Sequence, residues 1–288
     1  MQVLHQQTKE WLGDRLAALE AHFDADAIFY YGVISSAYDK LFRDFIETLA
    51  AEGKHKRLVV LLNTGGGSAE TVEKIVRIIR FHYGEVYFVV PDFAMSAGTI
   101  LCMSGDKIFM DYSSSLGPID PQVWNGKEWV PALGYLDKVE ELLEKARQNQ
   151  LTDAEFLILQ GQDLATLSRY EQQRNLTVTL LKQWLVQFKF KDWQTHGTNP
   201  TKKGQPVTED EKKERAEEVA RILGNNKHWH SHGRMIGPET LREVLRLVIE
   251  DYSADARLKS MIREYNDLIV EFILRNNFEH FLHSRTFF

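Results

Sequence analysis

Three short stretches of the sequence hold the residues best suited to chemistry. In "FAMSAGT", Ser96 sits among Ala94, Ala97 and Gly98. A serine hydroxyl adds to a carbonyl when a base takes its proton, and small neighbours let the carbonyl approach. In "NTGGGS", Gly66 and Gly67 precede a segment of helical period. Such glycines either make a sharp turn or expose N–H groups at a helix start, where they can hold a developing oxyanion. Asp120 lies in "LGPIDPQ", and "KHWHSHGRMIG" carries His228, His230 and His232. Each residue also has a plainer use: Ser96 as a packing residue, Asp120 as a turn former, Lys138 in "GYLDKVEELL" as a solvated helix lysine. From the residues alone, nucleophile and packing serine are equally good readings of Ser96.

Other chemistries fit less well. A Walker loop needs a lysine directly before the Ser or Thr at the helix start, and Lys74 lies too far inside; Glu70 occupies the third small position of a dinucleotide fingerprint. The three histidines alternate, so on a strand they would share one face, but no cysteine or carboxylate joins them and no metal site is expected. The run "EDEKKERAEE" reads as a solvated helix face.

The elements that must position these residues follow from hydrophobic period. "AIFYYGVI", "RLVVLLN", "EVYFVV" and "KIFMD" read as strands, and "RLVVLLN" is uniform enough to be buried on both faces. Between them "SSAYDKLFRDFIETLAAEG", "SAETVEKIVRIIRFHYG" and "SAGTILCMSG" read as helices. The alternation implies right-handed parallel crossovers, with ligands beyond the carboxyl ends of the strands. Both "NTGGGS" and "AMSAGT" fall at those ends and should be neighbours. Beyond Pro131 the chain turns helical, and the tail after Pro238 supplies two amphipathic helices whose apolar stripes need a partner.

The chain has 288 residues, 43% hydrophobic and 26% charged, with a formal net charge of −6. That charge gives no global basic field, so neither nucleic acid nor an anionic membrane is an expected partner. The single cysteine, Cys102, lies in an apolar run and fits a reducing compartment. No run reaches the roughly 18 apolar residues of a membrane span, and the amphipathic N-terminus does not read as a signal peptide. A cytoplasmic location is expected.

Taken together, "LVVLLNTGGGSAETVEKIVRII" and "VVPDFAMSAGTILCMSGDKIFMDYSSSLGPIDPQ" resemble the Clp-peptidase/crotonase-like superfamily. More narrowly, "MSAG", "LGP-DPQ" and a later histidine segment are similar to the serine dehydrogenase proteinase family of Clp-fold serine proteinases. The resemblance implies an α/β fold with a parallel β-sheet and αβ crossovers, plus a helical insertion and a helical C-terminal extension. It divides the chain into an N-terminal helix (1–26), a Clp-like core (27–138 and 225–250), a helical insertion (139–224) and a C-terminal helical extension (251–288). It makes Ser96 the nucleophile and gives the oxyanion hole to backbone N–H groups of Gly66, Gly67 and Ala97.

Where Clp peptidases place the histidine base, this sequence has Asp120. Two arrangements stay open: a reordered triad of Ser96, Asp120 and His232, or a Ser–Lys dyad with Lys138 as the alternative base. The resemblance further implies hydrolysis of peptides or unfolded protein, no cofactor, and assembly as a homo-oligomer; an ATPase partner is not identifiable. The rivals are a crotonase-like acyl-CoA enzyme, which would use the same N–H groups without Ser96, and a non-catalytic scaffold of the same fold.

Overall fold

The structure, a computed structural model, describes residues 2–197 and 201–288, with side chains from residue 6. The strands are β1 (Asp26–Gly32), β2 (Arg57–Asn63), β3 (Glu85–Val89), β4 (Phe93–Ala94), β5 (Lys107–Met110), β6 (Ser115–Leu116), β7 (Gln122–Trp124), β8 (Trp129–Pro131), β9 (Glu250–Asp251) and β10 (His280–His283). The helices are α1 (Gln2–Phe23), α2 (Asp39–Ala50), α3 (Ala69–His82), α4 (Ala97–Cys102), α5 (Ala132–Arg147), α6 (Asp153–Gln160), α7 (Leu164–Trp184), α8 (Glu209–Leu223), α9 (Asn226–Trp229), α10 (Pro238–Glu243) and α11 (Ala256–Asn276).

The main sheet runs β10-β1-β2-β3-β5-β9, parallel throughout except for β10, which returns antiparallel to β1. Successive strand residues point to opposite faces, and the sequence supplies both with apolar groups. Leu58, Val60 and Leu62 of β2 enter one core layer, and Val59 and Leu61 the other. On the first face α2 and α3 pack through Phe45, Ile46, Ile75 and Ile79. On the second, α1 contributes Leu12, Leu16 and Leu19, and α11 contributes Ile262, Tyr265, Ile269 and Ile273. These strands are buried on both faces, as expected of a parallel sheet. Ser68 caps α3 by accepting the Thr71 N–H at 3.1 Å, which fixes where the glycine turn ends.

The mixed α/β architecture with its crossovers is the one expected. The stripe of α11, whose partner the sequence left open between this chain and another copy, is buried against the sheet and α1 of its own chain. The 251–288 extension is not purely helical: "HFLH" closes the sheet edge as β10, a pairing too short and too distant in sequence to show as periodicity. Nor do His228, His230 and His232 share a strand face. His228 lies within α9, and His230 takes a left-handed conformation at φ 62°.

The stretch expected as a helical insertion, 139–224, divides; its residues 198–200 lie outside the described ones. Leu180, Leu181 and Trp184 of α7 and Ala216 and Val219 of α8 belong to the main core. By contrast Leu167 and Tyr170 join Val123 and Ala132 in a small separate core under the β7–β8 hairpin. Of the segment expected as an N-terminal helix, 1–26, α1 spans Gln2–Phe23 and Asp26 already begins β1; Met1 lies outside the described residues.

The C-terminal strand carries a titratable cost. Burial pushes both His280 and His283 down to about 4, and His283 is 2% exposed with its Nδ1 2.7 Å from the Tyr265 hydroxyl. An unfolded histidine gains its proton as pH falls through about 6.5, whereas these two stay neutral in the folded chain down to about 4. The unfolded state therefore binds more protons in that window, and stability falls with acidification. Urea unfolding should show a loss of about 2 kcal/mol from His283 alone between pH 7 and pH 5. His283→Gln, which keeps an acceptor for Tyr265, should flatten that slope; an unchanged slope would refute the assignment.

Candidate active site

At the carboxyl ends of β2 and β3 the chain makes two loops held together by backbone hydrogen bonds. Thr64 N–H donates to Phe93 O at 3.1 Å, and Met95 N–H donates to Thr64 O at 2.9 Å. The second loop ends in Ser96, whose backbone sits at φ 51° and ψ −114°. A non-glycine residue there is strained, and strain of this kind gathers at functional positions. Ser96 occupies the cap position of α4, yet its side chain makes no capping bond. The hydroxyl is thus left to the cleft that Ser96 lines.

Gly98 explains the rest of the small-residue motif. A Cβ there would lie 2.5 Å from Thr64 Cγ2, so only glycine lets α4 approach the first loop so closely. Thr99 ties the start of α4 to "LGPIDPQ": its hydroxyl lies 2.9 Å from the carbonyls of Ala94 and Gly117 and accepts the Gly117 N–H at 2.9 Å.

The glycine turn separates the three expected oxyanion donors. Gly66 N–H donates to Thr64 Oγ1 at 3.0 Å and is engaged inside the loop. Gly67 N–H and Ala97 N–H donate to nothing among the described residues, and both residues line the cleft. The N–H groups left without an acceptor are therefore those of Gly67 and Ala97. Sequence reading included Gly66 because nothing in "NTGGGS" shows that the Thr64 hydroxyl turns back on it.

Asp120 and His232 come together from distant parts of the chain. Leu116 and Ile236 exchange backbone hydrogen bonds at 3.0 and 2.8 Å, and Ile119 N–H donates to Leu223 O at 3.0 Å. These bonds lay the histidine segment along the "LGPIDPQ" loop. His232 Nδ1 then sits 2.9 Å from Asp120 Oδ1, and Gln122 Nε2 donates to Asp120 Oδ2 at 2.8 Å. Asp120 is 1% exposed, so its carboxylate depends on these donors. A carboxylate only accepts, so Nδ1 carries the hydrogen and Nε2 is left as the basic nitrogen. His232 and Ser96 line one cleft of about 1220 Å³, together with Gly67, Ala97, Ile100, Ile119 and Leu176. Among the described residues, no hydrogen bond joins His232 to Ser96.

Sequence comparison places the chain in a family. The profile of the ClpP-like SDH-type serine proteinases matches residues 43–221. The chain belongs to this family. Two uncharacterized proteins of Methanocaldococcus jannaschii are similar to it, one 34% identical over 80 residues and one 33% identical over 64. The aligned stretches cover 28% of this chain and 28% of the first relative, and 22% of this chain and 22% of the second. Among solved structures, two mutants of the 1510-N membrane-bound stomatin-specific protease align with it. One aligns with TM-score 0.44 and 15% identity, over 78% of this chain and 77% of that one. The other, in complex with a substrate peptide, aligns with TM-score 0.45 and 16% identity, over 78% and 73%.

Within this family member the other candidate base falls away from the cleft. Lys138 projects from α5, its side chain 56% exposed, and Nζ pairs with Glu141 at 2.9 and 3.0 Å. It borders a separate apolar hollow with Tyr135, Val139 and Leu142. A lysine base needs desolvation or neighbouring cations to be neutral near pH 7, and Lys138 has a carboxylate beside it instead. Sequence reasoning missed Thr64, Thr99 and Gln122, which orient the loops and the carboxylate. All three stand inside the quoted motifs, but only their hydrogen bonds show what they do. No helix among the described residues is long and apolar enough to cross a membrane.

The glycine turn gives a direct structural test. Gly67 has φ 147°, and a Cβ there would fall 2.0 Å from Ile34 O. Gly67→Ala should therefore lower stability by at least about 1–3 kcal/mol, read as a fall in the urea midpoint. Wild-type stability in the variant would show that the turn is not held as described.

Proposed function

We propose that the chain is a serine endopeptidase that cleaves peptides or unfolded protein through an acyl-enzyme on Ser96. In this reading the scissile carbonyl enters the cleft with its oxygen between the N–H groups of Gly67 and Ala97. Ser96 Oγ adds to the carbonyl carbon while His232 Nε2 takes the hydroxyl proton. Asp120 holds the imidazole in the required tautomer and stabilises the imidazolium that forms. Collapse of the tetrahedral adduct breaks the C–N bond, and the imidazolium passes its proton to the leaving amine. Water then adds to the ester, again giving a proton to His232, and release of the acid restores the Ser96 hydroxyl. No step calls for a metal or organic cofactor.

The observation that carries the reading is the 2.9 Å Asp120–His232 pair opening on the same cleft as the strained Ser96. The gap between His232 and Ser96 does not count against it, because catalytic hydrogen bonds in unliganded enzymes are commonly long and tighten with substrate. The wall formed by Ile100, Ile119 and Leu176 suits an apolar side chain beside the scissile bond.

Assembly into a homo-oligomer belongs to the same reading. α6 exposes Phe156, Leu157 and Ile158 in succession, and α7 begins with the exposed Leu164, more apolar surface than isolated residues explain. Light scattering at micromolar concentration should give a mass above that of one chain, and a monomer would remove this part of the reading.

The catalytic assignment is tested by labelling and hydrolysis together. A fluorophosphonate should label the wild-type protein, and Ser96→Ala should abolish both labelling and hydrolysis of fluorescein-casein. Asp120→Asn should lower kcat on the order of 10⁴-fold. Lys138→Ala should stay within about a factor of two, as an exposed substitution usually does. Failure of the wild type to label would favour the acyl-CoA or scaffold alternatives, and a large loss in Lys138→Ala would restore lysine as the base.

A further inference from the structure

We propose that Asp92, Asn63 and Asn266 form a positioning network for the nucleophile, setting the serine loop against the glycine turn at the spacing acyl transfer requires. The inference rests on the reading of Ser96 as the nucleophile.

Asp92 Oδ2 accepts two hydrogen bonds, from Asn63 Nδ2 at 2.9 Å and from Asn266 Nδ2 at 2.9 Å. The three residues come from the places where movement would matter most. Asn63 is the last residue of β2, directly before Thr64 and the glycine turn. Asp92 directly precedes β4, whose continuation is Met95 and Ser96. Asn266 lies on α11, which is packed on the opposite face of the sheet. One carboxylate oxygen thus ties both catalytic loops to α11, a 21-residue helix of the second layer. The Asp92 main chain is fixed as well, its carbonyl accepting the Ser115 N–H at 2.9 Å.

Packing alone does not account for this choice of residues. Asn63 and Asn266 are 3% and 4% exposed, and the Oδ1 of each is buried without a hydrogen-bond donor among the described residues. Buried amides with half their capacity unmet are unfavourable, and an apolar set of similar shape would avoid that cost. The neighbours of Asn266 on α11 that face the sheet, Ile262, Tyr265 and Ile269, are otherwise mostly apolar. What the polar trio supplies is direction: a hydrogen bond fixes distance and angle, where an apolar contact would let the loops slide. Local rules broken at a cost in stability are expected at functional sites.

Asn63 borders the cleft itself, so the test falls on Asn266 and Asp92, whose action is through the loop. Asn266→Asp sets a second carboxylate against Asp92. It should slow fluorophosphonate labelling of Ser96 by about 10- to 100-fold, with an equal fall in kcat on fluorescein-casein and an unchanged KM, as small misplacements of reacting groups do. Adding Asp92→Asn exchanges donor and acceptor across the pair and should bring labelling back close to the wild-type rate. Asn266→Ala removes the donor without adding charge, keeps the experiment decisive if Asn266→Asp does not fold, and should slow labelling about tenfold. Thermal melting of each variant is recorded alongside.

Wild-type labelling rates in both Asn266 variants would overturn the proposal. So would a double variant that recovers its melting temperature but not its labelling rate, because the trio would then be structural only. A wild-type protein that does not label at all is a distinct result: it removes the reading of Ser96, and this inference with it.

Discussion

The site depends on one contact between two loops. Thr64 donates its N–H to Phe93, accepts from Met95 through its carbonyl, and receives the Gly66 N–H on its hydroxyl. That hydroxyl in turn donates to Gly32 O at 2.7 Å. A single residue thus joins the ends of the first three sheet strands. Remove its geometry and the glycine turn loses its internal acceptor, α4 loses the surface that Gly98 packs on, and Ser96 loses the frame that holds its positive φ. The sheet makes this possible. With parallel strands in register, β1, β2 and β3 end at one level, and loops that leave there have nowhere to go but against each other.

The histidine reaches the site by a different kind of interaction. Ser96 and the oxyanion donors are set by crossovers within the sheet, but His232 is brought in by a segment laid along an irregular loop through a few backbone bonds. Its ring is then oriented by Asp120, which gives up solvent to do so and is held by His232 and Gln122. A buried carboxylate with two donors is a directional anchor, and losing either leaves it desolvated and under-bonded. In the proposed mechanism the nucleophile therefore belongs to the rigid core and the base to a docked segment.

How much of this was legible in the sequence follows the range of each interaction. The strands and crossover helices were readable because their signal is local: "RLVVLLN" is apolar throughout, and α3 has Val72, Ile75, Val76 and Ile79 on one face with Ser68 before it. Ser96 and Asp120 were readable as members of short motifs. What could not be read depends on which atom meets which across space. Gly66 and Gly67 are alike in sequence, and only the Thr64 hydroxyl distinguishes the engaged N–H from the available one. The sequence left both bases open, with His232 slightly ahead of Lys138 as the alternative, and what it could not show is that α5 holds Lys138 beside Glu141 and outside the cleft. β10 was hidden because four residues pairing with a strand some 250 positions earlier leave no period to detect.

The division between core and docked segment also bears on the absence, among the described residues, of a hydrogen bond from serine to histidine. Ser96 cannot move toward His232 without disturbing Thr64, Gly98 and Thr99, each in tight contact with the start of α4 or the loop before it. The histidine segment has fewer ties: His230 is exposed and left-handed, and Gly233 and Arg234 beside His232 are exposed too. In the proposed cycle, closing the gap is therefore cheaper for the base than for the nucleophile. There a substrate carbonyl seated between Gly67 and Ala97 is fixed by the core, and the proton acceptor is the part that can adjust to it. Preorganisation is strongest where charge develops and weakest where a proton must be handed over twice, once from Ser96 and once from water.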